Sequence, residues 1–234
     1  MNILITGTSK GLGEGLARYY LNKGYIVIGL SRSSNTDLRS YENFTYYSVD
    51  LSDLDSLPAK FKSILVNTPK IDLAILNAGI LGKIADMRES SLTNIKKVMD
   101  TNVWSNKILI DNLVKYNIPN QIVAISSGAA ISGSRGWNAY SLSKAALNML
   151  ISLYADEIPE VHFSALAPGL VDTQMQEYIS SLPEDKQFPT MQRLKKARGT
   201  ADMPKPNNIA PKIAETINKI QEELSGGFFD VRRI

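Results

Sequence analysis

Short runs of aliphatic and β-branched residues recur along this chain with amphipathic stretches between them, and that alternation restricts its fold more than any other feature. The runs at Asn2–Thr6, Tyr25–Leu30, Phe44–Ser48, Ile71–Leu76, Gln121–Ile125, Val161–Leu166 and Phe228–Val231 read as strands. Several are too apolar for burial on one side only, as expected where helices cover both faces of a sheet. Helical periodicity occupies Leu12–Asn22, Leu54–Val66, Leu92–Tyr116, Ala139–Glu157 and Asn208–Glu223. The pattern predicts an α/β fold: a doubly wound, parallel, seven-stranded sheet with helices on both faces. One zone, about residues 173–206, carries Pro183, Pro189, Pro204 and Pro206 and breaks the rhythm. Because the strand pattern resumes after it, it reads as a lid within a single domain spanning 1–234.

Composition narrows the chemistry. The 234 residues are 44% hydrophobic, enough to fill a large core without staples. There is no cysteine, which excludes thiolate zinc sites, thiol nucleophiles and disulfides and suits a reducing compartment. The single histidine, His162, rules out a multi-histidine metal centre and lies in an alternating segment where a satisfied strand histidine is expected. No metal is expected. The opening residues lack a basic leader pattern, and no apolar run reaches the roughly 18 residues of a membrane span. The expectation is a soluble cytoplasmic protein with no membrane partner. The net charge of +3 is dispersed, and its densest cluster, Arg193, Lys195, Lys196 and Arg198, reads as a solvated helix face rather than a nucleic-acid contact.

The first strand runs into Thr6-Gly7-Thr8-Ser9-Lys10-Gly11-Leu12-Gly13 and then a helix. Glycines at such a junction let a phosphate approach backbone N–H groups and the positive end of the helix. The spacing is G-x3-G-x-G, and Lys10 is followed by glycine rather than Ser or Thr, so the loop is not a Walker A motif. At the end of the second strand stand Leu30-Ser31-Arg32-Ser33, with no carboxylate to hold a ribose 2′-hydroxyl. A guanidinium there can grip a 2′-phosphate instead, and Lys10 lies in the facing loop, so the cofactor expected is NADP(H).

Tyr140 and Lys144 open a helix one turn apart, on one face. A phenol with a pKa of about 10 is a poor acid near neutrality, and a neighbouring ammonium would lower it. Ser127 ends the fifth strand thirteen residues before the tyrosine, where a hydroxyl can meet a substrate carbonyl.

With these pieces in order the chain resembles the short-chain dehydrogenase/reductase superfamily, whose fold is of the Rossmann type, over nearly its whole length. The resemblance implies a cofactor loop of Gly7, Ser9, Lys10, Gly11, Leu12 and Gly13, with Ser31 and Arg32 following. It places Asp50 and Leu51 at the adenine and Asn77-Ala78-Gly79 at the close of strand four. Pro168, Gly169, Val171 and Thr173 belong to the turn that orients the nicotinamide. The implied catalytic set is Asn102, Ser127, Tyr140 and Lys144: Tyr140 as proton donor, Ser127 holding the substrate oxygen, Lys144 on the ribose and lowering the Tyr140 pKa, and Asn102 supporting a water relay. Leu76 and Ser105 depart from frequent family residues without touching these positions.

Finer stretches, Gly136-Trp137-Asn138-Ala139-Tyr140, Asp172-Thr173-Gln174-Met175-Gln176 and Ser225-Gly226-Gly227-Phe228-Phe229-Asp230, are similar to the sepiapterin reductase and benzil reductase branch. In that branch Asp230 would anchor a pterin alongside Ser127 and Tyr140; its alternative is an ion pair with Arg232 or Arg233. The function expected is an NADPH-dependent reduction of a ketone, diketone or pterin side chain. A 3-oxoacyl-carrier-protein reductase is the alternative within the fold, and a non-catalytic NADP(H)-sensing protein the alternative outside catalysis. The long helices at about 92–116 and 139–157 resemble those through which the family forms homodimers or homotetramers.

Overall fold

The computed structural model describes residues 1–234. The seven strands are β1 (Asn2–Thr6), β2 (Ile26–Ser31), β3 (Phe44–Ser48), β4 (Leu73–Leu76), β5 (Gln121–Ile125), β6 (His162–Ala167) and β7 (Phe228–Asp230). They form one sheet in the order β3-β2-β1-β4-β5-β6-β7, every pairing parallel. The chain order reverses between β1 and β4, and that is where a doubly wound sheet opens a crevice at the carboxyl ends of its strands.

Alternation along the strands sorts the core into two layers. Leu4, Ile28, Ala74, Leu76, Ile122, Ala124 and Phe163 face α2 (Leu57–Val66), α4 (Ser105–Tyr116) and α5 (Asn138–Glu157). Their strand neighbours Ile3, Ile5, Val27, Leu73, Ile75, Val123 and Ile125 face α1 (Gly11–Asn22) and α8 (Pro206–Ile220). Successive residues point to opposite faces, so a strand with no polar face is what this sandwich requires. Gly15 lets the two outer helices meet, since a Cβ there would lie 2.9 Å from the Pro206 backbone.

Two expectations about helices are corrected. The single helix expected over 92–116 is α3 (Leu92–Met99) and α4 joined by a π-helical turn, Asp100–Trp104. The zone about 173–206 is not irregular: it holds α6 (Gln174–Ser181) and α7 (Pro189–Ala197). Pro189 and Pro206 stand at the first position of their helices, where the missing N–H has no intrahelical partner to lose, so they start helices instead of breaking them. This segment has its own small core of Ile179, Met191, Leu194 and Met203 on Trp137. His162 is a satisfied strand histidine, with Nε2 3.1 Å from the Glu223 carbonyl and Nδ1 3.2 Å from Ser164 Oγ. No helix is long and apolar enough to cross a membrane.

Phe163 is fully buried and stacks on Tyr154 at 5.8 Å between ring centroids. Phe163→Ala is expected to lower unfolding stability by about 3–5 kcal/mol, read as a shifted urea midpoint with unchanged slope.

Candidate active site

The glycine loop is set by a close approach. Gly7 and Gly11 have φ of 77° and 64°, a region that side-chain-bearing residues rarely adopt. A Cβ on Gly13 would stand 2.3 Å from the Gly7 carbonyl oxygen and 2.5 Å from Asn77 Nδ2. Thr6 Oγ1 accepts from the Asn77 and Ala78 amides, both at 2.9 Å, and Asn77 Nδ2 donates to the Thr6 carbonyl at 2.8 Å. The ends of β1 and β4 are thus clasped where the sheet order reverses. Sequence reasoning gave Thr6 no part in this beyond opening the loop; the signal available was a hydroxyl just before the first glycine. No side chain caps the N-terminus of α1, so its first amides face the crevice.

A cavity of about 540 Å³ follows the carboxyl ends of six adjacent strands. At neighbouring-strand spacing that is a run of roughly 24 Å, far more than a small ketone needs. Leu30, Ser31, Arg32, Asp50 and Leu51 line one end. The middle is the glycine loop with Asn77-Ala78-Gly79, and the other end is Ser127, Tyr140 and Lys144. Pro168, Gly169, Val171 and Thr173 close it from the β6 side, a Cβ on Gly11 falling 3.5 Å from Thr173 Cγ2. The cradle, the uncapped helix and the length together fit an extended dinucleotide.

At the far end Ser31 is buried and its hydroxyl donates to the Ser33 carbonyl at 2.9 Å, while Arg32 is exposed and has no ion pair. Lys10 donates to the side-chain carbonyl of Gln174, joining the loop to α6. The Asp50 carboxylate accepts from the Ser52 amide at 2.9 Å and hydroxyl at 2.7 Å, and these bonds hold its pKa below the usual carboxylate range.

At the Ser127 end Lys144 is 3% exposed and donates to the Ile125 carbonyl at 2.7 Å. Burial lowers its pKa from 10.5 to about 8. Its Nζ lies 5.7 Å from the centre of the Tyr140 ring. Burial pushes the Tyr140 phenol up, and a hydrogen bond with Ser127 draws it partly back. The expected lowering by Lys144 is therefore not what this geometry gives: burial raises the phenol, and one N–H of the ammonium is directed at a backbone carbonyl.

Asn102 lies in the π-helical turn and is fully buried. Its Oδ1 accepts from the Ile80 amide at 2.8 Å, and its Nδ2 donates to the Ile80 carbonyl at 2.9 Å and to Ser143 Oγ at 3.0 Å. The side chain is spent clasping the loop after β4 to α5, and Thr101 rather than Asn102 lines the cavity. Asp230, expected to anchor substrate, does not line it either. Both its oxygens are taken by Arg232, at 2.8 Å from Nε and 2.5 Å from Nη2. Arg232 is the residue that reaches the cavity, and the Asp-x-Arg spacing after the last strand was the signal for it.

Comparison with known proteins agrees with this geometry. A family profile described as short chain dehydrogenase matches residues 1–183. The chain belongs to the short-chain dehydrogenase family. It is 31% identical to a benzil reductase ((S)-benzoin forming) of Bacillus subtilis, with 98% of this chain and 97% of that one covered. It is likewise 31% identical to an NADPH-dependent pterin aldehyde reductase of Arabidopsis thaliana, over 74% of this chain and 76% of the relative. A short-chain dehydrogenase/reductase from Saccharomyces cerevisiae superposes with a TM-score of 0.84 at 26% identity, covering 98% of this chain and 95% of that one. The protein is accordingly an oxidoreductase of alcohol and carbonyl groups, in a family that uses NAD(P).

The buried Lys144 has a measurable consequence. Between pH 8 and 10.5 the unfolded chain retains a proton that the folded protein has released, so stability from this group rises with pH across that window. Below pH 8 both states are charged and the burial cost is constant. The stability difference between Lys144→Met and wild type is expected to shrink by on the order of 3 kcal/mol from the lower to the upper end of the window. Urea midpoints measured across that range check this; a constant difference would contradict it.

Proposed function

We propose that this protein is an NADPH-dependent carbonyl reductase acting on a ketone or vicinal diketone. The observation that carries the reading is the juxtaposition of Ser127, Tyr140 and Lys144 at one end of a crevice whose other end offers Arg32 and no carboxylate at the close of β2. Gly7, Ser9, Gly11, Leu12 and Gly13 would hold the pyrophosphate by backbone amides. Arg32, with Lys10, would take the 2′-phosphate, and Asp50 and Leu51 would border the adenine. The nicotinamide, when bound, supplies the hydride.

The remaining work falls to the side chains. Ser127 and Tyr140 donate to the substrate oxygen, and as negative charge develops there Tyr140 passes over its phenolic proton. Lys144 holds the ribose and provides a nearby positive charge that favours the phenolate left behind. Asn102 serves by position: through Ile80 and Ser143 it fixes the loop that closes β4 against the helix bearing Tyr140 and Lys144. Residues 173–206 act as the substrate lid, since Met175, Gln176, Ile179, Thr190 and Leu194 line the cavity.

Among substrates, the diketone class is favoured over the pterin class. An amino-pyrimidine edge presents N–H donors and needs a free acceptor, and the Asp230 carboxylate is already satisfied by Arg232. A carrier-protein substrate would want a basic rim, and half of the Arg193–Arg198 cluster is engaged elsewhere: Arg198 is paired with Asp172 at 3.0 Å and Lys195 donates to the Leu182 carbonyl. A sensing role without turnover would not need the intact Ser127, Tyr140 and Lys144 set. Exposed Leu142, Met149 and Leu153 share one face of α5, which supports a homodimer packed through that helix. With no cysteine and no membrane-spanning helix, we place the protein in the cytoplasm.

Tyr140→Phe is expected to retain NADPH binding and lose turnover by roughly 10²–10⁴; near-wild-type turnover would refute the proton-donor assignment. Wild type is expected to prefer NADPH to NADH in kcat/KM, and Ser31→Asp combined with Arg32→Ser to erode or invert the preference. Equal use of both cofactors by wild type would remove the role given to Arg32.

A further inference from the structure

After β7 the chain makes a tight turn in which the Asp230 carboxylate receives three N–H groups of Arg232: the backbone amide at 3.0 Å, Nε at 2.8 Å and Nη2 at 2.5 Å. The carboxylate is 9% exposed and the Arg232 side chain 60%. Such a grip fixes the plane of the guanidinium while leaving Nη1 and one Nη2 proton free to donate. The side chain passes over the crevice ends of two strands. A Cβ on Gly169 would lie 3.5 Å from Arg232 Cδ, and one on Gly128 would lie 3.9 Å from Nη2. Gly128 directly follows Ser127, so these free donors border the pair expected to hold the reacting oxygen.

Charge at this end of the cavity is one-sided. Arg193, on α7, is exposed, lines the cavity and has no ion pair; its neighbour Leu194 packs with Trp137 and Tyr140. The only carboxylate lining the cavity is Asp50, after β3, about four strand spacings or roughly 19 Å from the end of β5. Lys10 and Arg32 belong to the opposite, phosphate-binding part. What remains beside Ser127 is a set of donors and positive charge with Asp230 behind it as counter-ion.

We infer that Arg232, positioned by Asp230 and assisted by Arg193, anchors the substrate, and that the ketone selected carries an anionic oxygen group, a carboxylate, close to the carbonyl reduced. This rests on the reductase reading above for which end of the cavity is reactive. It assigns the last strand's acid a positioning task and its basic neighbour the contact. The two oxygen groups of a 2-oxo carboxylate would be divided between two donor sets: the ketone oxygen on Ser127 and Tyr140, the carboxylate on Arg232.

Phenylglyoxylate and its methyl ester differ in that one charge. Each would be titrated calorimetrically into the protein, with and without NADP⁺, and each assayed for reduction. Wild type is expected to bind the acid more tightly than the ester by about 10- to 100-fold, the worth of a charge-assisted hydrogen bond. Arg232→Met should remove most of that ratio. Arg232→Lys should keep a part, because charge survives and the fork does not. Arg193→Met, on the exposed face of α7, should lower the ratio with no risk to the core. Asp230→Asn should lower it through KM for the acid rather than kcat, with partial recovery in Asp230→Glu. Equal binding of acid and ester by wild type, or an acid-to-ester ratio that Arg232→Met leaves intact, would overturn the inference. Selective, Arg232-dependent binding of the acid with reduction of neither compound would uphold the anchor and refute the reductase reading.

Discussion

The approach of α1 to the ends of β1 and β4 is the contact on which the crevice depends. At 2.3 Å from the Gly7 carbonyl, the space beside Gly13 has no room for a methyl group, and a Cβ there would also strike the Asn77 amide at 2.5 Å. That amide is the donor that ties β4 to β1 through the Thr6 carbonyl. Helix, loop and both strands are therefore in mutual contact through backbone and one short side chain, an arrangement with little freedom to relax. Because the helix can come no closer and no farther, its uncapped amides are aimed along the cavity. The long run of lining residues on either side inherits its direction from this point.

Burial organises the reactive end as closely as it organises the core. Lys144 and Tyr140 share one helix face one turn apart, and reading that spacing through Coulomb attraction alone gives a lowered phenol pKa. The structure adds desolvation, which acts on both groups against their charged forms: the ammonium falls to about 8 and the phenol rises. One N–H of the ammonium is given to the Ile125 carbonyl at 2.7 Å. Ser127 is the only group that counters the rise, by hydrogen bonding the phenol. A raised phenol keeps its proton near neutral pH, which suits the proton-donor role proposed for Tyr140.

Much of this was legible in the sequence, for reasons that can be traced. The strands were found because two-sided burial forces apolar residues at consecutive positions, and all seven lie within two residues of where the pattern put them. The loop was found because glycine is strongly favoured at the positive φ of Gly7 and Gly11. What escaped depends on contacts distant along the chain. Pro189 and Pro206 look like interruptions until their position at a helix start is known. The π-helical turn around Asn102 leaves the apolar periodicity of the segment nearly unchanged, yet it is what turns that amide toward Ile80 and Ser143. For Asp230 the residue type was informative and its partner was not: an acid at a strand end can meet a ligand or a neighbouring arginine with equal ease, and only the fold shows Arg232 closing on it.

The segment 173–206 and the helix start that bears Tyr140 are not independent parts. Trp137, which anchors the small core of α6 and α7, immediately precedes α5 and stands three residues before Tyr140. Gly136 has φ of 93°, and a Cβ there would lie 2.7 Å from the Phe188 ring at the start of α7. On the other side Asn138 donates to the Ser90 hydroxyl at 2.8 Å, holding the same helix start to the segment before α3. Three consecutive residues thus connect the segment 173–206, the start of α5 and the wall beyond β4. Side chains that reshape the small core of residues 173–206 therefore press on the turn from which Tyr140 projects. Positions that face the cavity without joining that core, Arg193 and Thr190 on α7 and Arg232 beyond β7, are free of this constraint. Side chains can change there while the packing around Tyr140 stays fixed.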